Sequence, residues 1–155
     1  MDINYIKGDA TNPCADGNKI IVHICNDIGG WGKGFVMAIS KRWKQPELQY
    51  RAWYKSQENF DLGQVQFVQV EENLWVANLI GQHKINKDEQ GNPPIRYDAV
   101  LEGLQKVSDF AKAQNATVHM PRIGCGLAGG TWDQIEPLII VTLTNSAISV
   151  WVYDF

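Results

Sequence analysis

The sequence has few of the features that mark metal-binding, secreted or membrane proteins. Its three cysteines are odd in number and widely spaced, and no CxxC pair occurs, so a reducing compartment is expected rather than a disulfide framework. The three histidines show no metal-ligand spacing, which argues against a zinc site. No segment has the length and apolar character of a membrane span, and residues 1–10 lack a signal-peptide core. These absences predict a cytoplasmic protein that uses no metal and no membrane.

Positive charge is also scarce. The 155 residues include 14 Lys and Arg against 17 Asp and Glu, a formal net charge of −3, which argues against broad electrostatic contact with nucleic acid or anionic lipid. A local basic pocket for one small anion is compatible with this balance. With 45% hydrophobic residues, the chain is long enough for one buried core and too short for two, so one domain over residues 1–155 is expected.

The order of the predicted elements indicates an α/β fold. Strands are expected at residues 3–7, 19–25, 64–70, 74–80, 117–120 and 147–153. Helices are expected at residues 34–43, 46–57, 97–114 and about 131–142, where Pro137 implies a kink or a later start. Residues 71–73 look like a hairpin turn, so one strand pair is antiparallel. The pattern predicts a three-layer α/β/α sandwich around a mixed, mostly parallel six-stranded sheet.

Two glycine-rich loops, each between a predicted strand and a predicted helix, carry the clearest functional signal. They match neither a P-loop, because no hydroxyl residue follows Lys33, nor the GxGxxG pattern. Glycines let the main chain approach an anion, and the first N–H groups of a helix lack internal partners. Two such loops at strand ends predict a cradle for a diphosphate, although each alone could be a structural turn. The candidate ligand-binding residues are Trp31, Gly32, Lys33 and Gly34 in the first loop, and Arg122, Ile123, Gly124, Cys125, Gly126 and Leu127 in the second.

Three residues near the chain ends have two interpretations each. Asp9 follows the first strand, where its carboxylate either accepts a hydrogen bond from an amino group such as that of adenine or closes an Asx-type turn. Tyr153 and Phe155 either stack on a base or pack in the core or at the sheet edge. The residue types therefore suggest an adenine site without requiring one.

The first loop and the strand before it contain the candidate catalytic residues. His23 lies in an apolar run, which favours a neutral core histidine over a base. Asn26 and Asp27 follow at the strand end, where they either position a sugar hydroxyl or water and act as a base, or cap the loop. Trp31 sits between glycines, where weak packing demands favour ligand contact. Cys125 has no paired histidine in the sequence and is interpreted as loop structure.

The order of these motifs resembles the macrodomain family over essentially the whole chain. The stretches concerned are GDAT at residues 8–11, IVHICNDIGGWGKG at 21–34 and PRIGCGL at 121–127. The likeness is closest to the branch that contains a chromatin-remodeller macrodomain, the terminal ADP-ribose glycohydrolase and the yeast ADP-ribose-1''-phosphate phosphatase. The resemblance implies an α/β/α sandwich that binds ADP-ribose, free or attached to a protein, and needs no cofactor.

The resemblance also implies a place for each part of the ligand. Asp9, with Ala10 beside it, would meet adenine. Residues 31–34 would meet the distal ribose and a phosphate, residues 124–127 would hold the diphosphate, and Asn26 would face the distal ribose.

Two functions of different class follow, and a third stays open. One is a hydrolase acting at C1'' of ADP-ribose, with Asn26 positioning water and Asp27 or His23 as the base. The other is a reader that binds ADP-ribose without chemistry. Gln82 and Ala128 favour the reader, because they stand where the glycohydrolase branch has a lysine and an acid. The third is a nucleotide-binding module for a dinucleotide or an RNA end.

Overall fold

The computed structural model describes residues 1–155 and contains a six-stranded sheet covered by helices on both faces. The strands are β1 (Asn4–Lys7), β2 (Lys19–Asn26), β3 (Val65–Glu71), β4 (Leu74–Gln82), β5 (Thr117–Met120) and β6 (Val150–Asp154). The helices are α1 (Phe35–Arg42), α2 (Gln45–Ser56), α3 (Tyr97–Gln114) and α4 (Trp132–Thr142), followed by a short 3₁₀ helix at Thr144–Ser146.

The sheet is mixed and mostly parallel. Its strand order is β1-β6-β5-β2-β4-β3, and only the β3–β4 hairpin is antiparallel. The predicted α/β/α sandwich is therefore confirmed. Because five of the strands run in the same direction, the segments that follow them emerge at one edge of the sheet, which is where ligands bind in open α/β folds.

The alternation of side chains along β2 explains why the sheet has a core on each face. Ile20 and Val22 are fully buried against the α3 and α4 side, whereas Ile21 and Cys25 belong to the core on the α1 and α2 side. Successive residues of a strand point to opposite faces, so His23 shares the face of Ile21 and Cys25. A strand covered on both faces reads as a continuous apolar run, which is why β2 could be located in the sequence.

The last third of the chain differs from the prediction in two places. α4 begins at Trp132 and continues through Pro137, so of the two predicted alternatives, a kink or a later start, the later start does not occur. Pro137 removes only the hydrogen bond that would reach back to the carbonyl of Asp133 in the first turn. β6 begins at Val150 instead of Ala147, because Ala147 has a φ of 62° and ends the 3₁₀ helix. All three cysteines are free, and no helix combines the length and apolarity needed to cross a membrane.

Candidate ligand-binding cleft

A cleft of about 960 Å³ lies among the segments that follow the parallel strands. Three loops form its walls: loop 1 (residues 27–34) joins β2 to α1, loop 2 (residues 121–131) joins β5 to α4, and loop 3 (residues 83–96) joins β4 to α3. The two glycine-rich loops therefore meet at one cavity. Its size falls within the range of pockets that enclose small-molecule ligands, roughly 300–1,000 Å³.

Loops 1 and 2 approach each other closely beside this cleft. A methyl group added to Gly34 would lie 3.3 Å from Cδ1 of Leu127, so the two loops are almost in contact there. Gly34 has a φ of 83° and immediately precedes α1. A side chain at this position would be strained and would also displace Leu127, so glycine keeps the two walls at their observed spacing.

Both glycine loops present main-chain donors that have no partner in the protein. Loop 1 contains four consecutive peptide N–H groups without a hydrogen bond in the chain, and loop 2 contains three. These belong to Trp31, Gly32, Lys33 and Gly34 and to Gly126, Leu127 and Ala128, and all seven residues line the cleft. Consecutive unpaired N–H groups bind anions well, and those of loop 1 stand at the positive end of the α1 dipole.

Two glycines of these loops have no structural reason to be glycine. Among the glycines of the chain, only Gly32 and Gly126 combine an ordinary φ with open space where a Cβ would lie. One belongs to loop 1 and the other to loop 2, and both line the cleft. Since the fold would accept a side chain at either position, neither packing nor backbone conformation accounts for glycine there.

The charges that line the cleft are all positive. Lys33, Arg51, Lys87 and Arg122 belong to the lining, and no Asp or Glu does. Arg51 is paired with Glu47 and also donates to the carbonyl of Gly29. The cleft of this acidic protein is thus suited to an anion, which the overall charge does not reveal.

Arg122 holds loop 2 to the sheet. Its guanidinium donates to both carboxylate oxygens of Asp154 in β6, at 2.9 and 3.0 Å, and lies 5.0 Å from the ring centre of Tyr5 and 4.9 Å from that of Trp132. The hydrogen bonds with Asp154 raise the pKa of Arg122 above its usual value. Arg122 was a candidate ligand-binding residue, and it does line the cleft, but two of its donors are already used by Asp154.

Asn26 caps loop 1 with its side-chain amide. Its Nδ2 donates to the carbonyl of Gly30 at 2.9 Å, and its Oδ1 accepts from the N–H groups of Ile28 and Gly30 and from the hydroxyl of Tyr50. The buried Tyr50 hydroxyl also donates to the Asn26 carbonyl at 2.6 Å. The structure thus shows the loop cap, while the second Nδ2–H of this cleft-lining residue has no partner in the chain, so contact of Asn26 with a sugar hydroxyl or water stays a prediction.

Asp27 joins loop 1 to loop 3 and lies outside the lining of the cleft. Its Oδ2 is 2.7 Å from Nδ1 of His83, and its Oδ1 accepts from the main-chain N–H of Lys84 at 2.7 Å. Both carboxylate oxygens therefore have partners. The role of Asp27 as a base facing the ligand stays a prediction, since a base must reach the proton that it removes and Asp27 is not among the residues that line the cleft.

His23 and Trp31 lie side by side beneath the cleft. His23 is 2% exposed, with Nε2 at 2.5 Å from Oδ1 of Asn78, and burial lowers its pKa to about 4, so the ring is neutral at pH 7. The Trp31 ring is 5.3 Å from the His23 ring, and its Nε1 donates to Ser40 at 2.8 Å. Trp31 is only 5% exposed, so the expectation of weak packing there is wrong. Both residues contribute to the lining.

Asp9 and Ala10 follow β1 and do not line the cleft. Oδ1 of Asp9 accepts from the N–H of Thr11 at 2.8 Å and from its hydroxyl at 2.7 Å, which is the Asx-type turn, and Oδ2 lies 3.6 Å from Arg42. Partial burial acts to raise the pKa of Asp9, but the bonds from Thr11 and Arg42 outweigh it and the pKa is lowered. Ala10 is buried.

The other three candidate residues also lie outside the lining. The Tyr153 ring is 4% exposed, and its hydroxyl contacts Nδ1 of His119 at 2.7 Å and accepts from the N–H of Cys14 at 2.9 Å. Tyr153 therefore packs in the core, the second of its two interpretations. Phe155 is fully exposed. Cys125 is partly buried, and burial raises the pKa of its thiol, which does not favour a thiolate nucleophile.

Loop 3 is the part of the site that sequence reasoning missed. It contributes a hydrophobic residue, two polar ones and two prolines to the lining, namely Ile85, Asn86, Lys87, Pro93 and Pro94. The available signal was its length, since residues 83–96 contain no helix or strand, and long loops of this kind are often functional. Arg51 was also missed, because it comes from the middle of α2.

Two solved structures resemble the whole chain. A protein of unknown function from Bacteroides thetaiotaomicron has a TM-score of 0.99 and 63% identity, over 100% of this chain and 99% of its own. A macrodomain protein from Streptomyces coelicolor has a TM-score of 0.89 and 53% identity, over 99% of both chains. DarTG from Thermosipho africanus, solved in complex with ADP-ribose, has a TM-score of 0.70 and 20% identity over 86% of this chain and 37% of its own, and shares the fold alone.

Curated relatives extend the comparison. Chromodomain-helicase-DNA-binding protein 1-like from mouse is 32% identical over 99% of this chain, which spans only 18% of that protein. The ADP-ribose 1''-phosphate phosphatase of Candida albicans is 26% identical over 86% of this chain and 89% of its own length. No protein-family model matches the sequence.

Proposed function

Because the chain belongs to the macrodomain family, we propose that its cleft binds ADP-ribose, free or attached to a protein. The diphosphate would lie between loops 1 and 2 and accept hydrogen bonds from their unpaired N–H groups. The DarTG structure gives this ligand a precedent in a protein of the same fold. The cationic lining, which includes Lys33 and Lys87, favours such an anion electrostatically.

The observation that carries the proposal is the pair of glycines at 32 and 126. Each has an ordinary backbone conformation and free space at its Cβ position, and each lies in a row of unpaired N–H groups. A diphosphate held from both sides by main chain would account for glycine at both positions. A packing requirement would not, because no protein atom lies within 4 Å of either Cβ position.

The adenine would then lie beside β1 and β6, and the distal ribose beside β2 and loop 3. Asp9 and Ala10 follow β1, and Phe155 follows β6, so these three stay the proposed adenine end, whereas the buried Tyr153 would contribute only by packing in the core. For Asp9 to receive the adenine amino group, its Oδ2, now 3.6 Å from Arg42, is the available oxygen, because Oδ1 accepts two bonds from Thr11.

Hydrolysis at C1'' is the second candidate function. It is favoured by the name of the Candida relative, an ADP-ribose 1''-phosphate phosphatase. The predicted catalytic residues Asn26, Asp27 and His23 support it less directly. Loop 1 uses the Asn26 amide oxygen and one of its two N–H donors, both carboxylate oxygens of Asp27 have partners, and the His23 imidazole is buried and neutral. We therefore place binding before catalysis.

Titration calorimetry with ADP-ribose tests the main proposal. Saturable binding is expected, with matching thermal stabilisation of the folded state. The absence of both at millimolar ligand would refute it. Incubation with ADP-ribose-1''-phosphate and with an ADP-ribosylated protein, followed by separation of the products, tests the second function. If turnover occurs and Asn26→Ala and Asp27→Ala retain it fully, those two residues are not catalytic.

A further inference from the structure

Loop 3 reaches the cleft with few hydrogen bonds to the rest of the protein. Residues 85–92 make no hydrogen bond outside loop 3, although residues 85–87 line the cleft. At the far end of the loop, the main-chain N–H of Arg96 donates to the carbonyl of Gly81 at 2.9 Å. The contacts at the near end, where the chain leaves β4, therefore determine where the three lining residues lie.

Asp27 holds the near end of loop 3 with both of its carboxylate oxygens. Oδ1 accepts from the main-chain N–H of Lys84, and Oδ2 accepts from Nδ1 of His83, each at 2.7 Å. These are the only two hydrogen bonds between loop 1 and loop 3. The Asp27 side chain is 16% exposed, so water competes little for its oxygens. Loss of this one side chain would remove every hydrogen bond between the two loops.

The backbone of Lys84 shows that this contact opposes a local preference. Lys84 has a φ of 60°, in the left-handed region that residues other than glycine, asparagine and aspartate rarely adopt. Such a conformation persists only where surrounding contacts enforce it. The main-chain N–H of Lys84 is bonded to Asp27, and its carbonyl accepts from Gln82 at 2.9 Å. Without Asp27, we expect Lys84 to leave this conformation and the following residues to turn away from loop 1.

The charges and contacts at the cleft also depend on the distance between loops 1 and 3. Lys33 of loop 1 and Lys87 of loop 3 both line the cleft, and neither lies within 4 Å of a carboxylate. Like charges that line one cleft repel each other, which favours separation of the loops. Ile85 of loop 3 lies against loop 1, since a methyl group added to Gly30 would be 3.1 Å from its Cδ1. The bonds from Asp27 therefore act against a repulsion between the two walls.

We propose that Asp27 is a positioning residue, which holds loop 3 against loop 1 and so keeps this wall of the cleft in place for the ligand. The effect on loop 3 is independent of any ligand, whereas the effect on affinity rests on the proposed function. The affinity of a site falls in proportion to the fraction of molecules in which the site is formed. Loss of the Asp27 side chain should thus weaken binding although Asp27 does not line the cleft.

Amide hydrogen exchange of the protein without ligand tests the effect on loop 3. Asp27→Asn keeps an oxygen for the N–H of Lys84, whereas Asp27→Ala keeps none, so the two variants form a matched pair. Asp27→Ala should speed exchange of the Lys84 amide about tenfold or more, with the amides of β4 unchanged. Asp27→Asn should keep most of the protection. Unchanged exchange in Asp27→Ala overturns the inference whether or not the protein binds ADP-ribose.

Calorimetry with ADP-ribose on the same variants tests the effect on affinity. Asp27→Ala should bind about tenfold more weakly, and Asp27→Asn should lose less than about threefold. If Asp27→Asn loses as much as Asp27→Ala while Lys84 stays protected, the carboxylate acts on the ligand directly and the inference is overturned. Normal affinity of Asp27→Ala with faster exchange at Lys84 also overturns it. No binding by the unmodified protein removes the proposed function, and the exchange data still decide whether Asp27 holds loop 3.

His83 supplies a second test if Asp27→Ala does not fold. The His83 side chain is 45% exposed and lies outside the lining of the cleft, so His83→Ala should neither unfold the protein nor remove a ligand contact. It removes one of the two bonds to Asp27. Exchange at Lys84 should rise and affinity for ADP-ribose should fall, each about threefold. Unchanged exchange and affinity in His83→Ala would overturn the inference.

Discussion

Replacing Gly126 with alanine tests whether glycine is required at this position for folding or for ligand binding. No atom lies within 4 Å of the added methyl, and the φ of Gly126 is not positive, so the free protein should tolerate the change. Alanine also restricts the unfolded chain, which stabilises a protein by about 0.4–1 kcal/mol where the native backbone accepts it. For a chain of this size, that corresponds to a rise in Tm of roughly 1–4 °C.

Binding should respond in the opposite direction. If the diphosphate lies against the main chain of loop 2, the methyl group occupies part of its place and weakens one or two N–H contacts to an anion. A hydrogen bond to a charged group contributes about 1.5–3 kcal/mol, so affinity for ADP-ribose should fall roughly ten- to a hundredfold. Calorimetry and thermal denaturation on the same preparation measure both effects. Gly32→Ala in loop 1 should behave in the same way.

Gly124→Ala is the matched control from the same loop. Gly124 has a φ of 73°, and a Cβ there would lie 2.8 Å from Cδ1 of Ile95, so both backbone and packing oppose a side chain. Strain and overpacking of this kind cost about 1–3 kcal/mol each, so Tm should fall by several degrees. If Gly126→Ala instead leaves affinity unchanged in a protein of normal stability, the main chain of loop 2 does not contact the ligand at Gly126.

Three further predictions concern stability and loop position. Burial lowers the pKa of His23 to about 4 and that of His119 to about 3. In the unfolded state both histidines have the ordinary pKa of 6.5, so between pH 6.5 and pH 5 the unfolded state takes up protons that the folded state does not. Stability should therefore fall by about 2 kcal/mol per histidine from pH 7 to pH 5; equal urea midpoints at the two pH values would contradict this. Tyr153→Phe leaves Nδ1 of His119 without its hydroxyl partner and should cost about 1–3 kcal/mol in urea denaturation, and an unchanged midpoint would show that the hydroxyl contributes nothing. Arg122→Gln breaks the two bonds to Asp154 and should lower stability only slightly, because the pair is partly exposed, whereas affinity for ADP-ribose should fall because loop 2 is displaced. Unchanged affinity would show that loop 2 needs no such support.

The elements and the two glycine loops could be predicted because their signals are local. α3 has its buried residues at helical spacing, among them Val100, Leu104, Val107 and Ala111, and Asn115 ends it in the left-handed conformation, so its predicted bounds match. β2 is a continuous apolar run, and the glycines after it mark the loop. The macrodomain resemblance rests on motifs of the same local kind.

The roles of individual side chains could not be predicted, because their partners are distant in sequence. Asp27 looked like a free carboxylate, but its partner His83 is 56 residues away and approaches only because β4 lies beside β2. Arg122 was a candidate ligand-binding residue, but β6 places Asp154 next to it. In both cases the strand order, which the sequence pattern does not specify, decides which group is satisfied. Trp31, between glycines, packs on Tyr50 of α2, a contact that depends on how a helix packs on loop 1.

The anchoring of both loops has a consequence for how the protein meets its ligand. The amide of Asn26 and the hydroxyl of Tyr50 hold loop 1, and the two hydrogen bonds from Arg122 to Asp154 hold loop 2. These contacts are all made by the protein itself. The entropy cost of ordering the backbone of these two loops is therefore incurred when the protein folds and not when a ligand binds. If the cleft binds ADP-ribose as proposed, loops 1 and 2 would receive it without a rearrangement step, so association should be a single fast phase whose rate rises in proportion to ligand concentration.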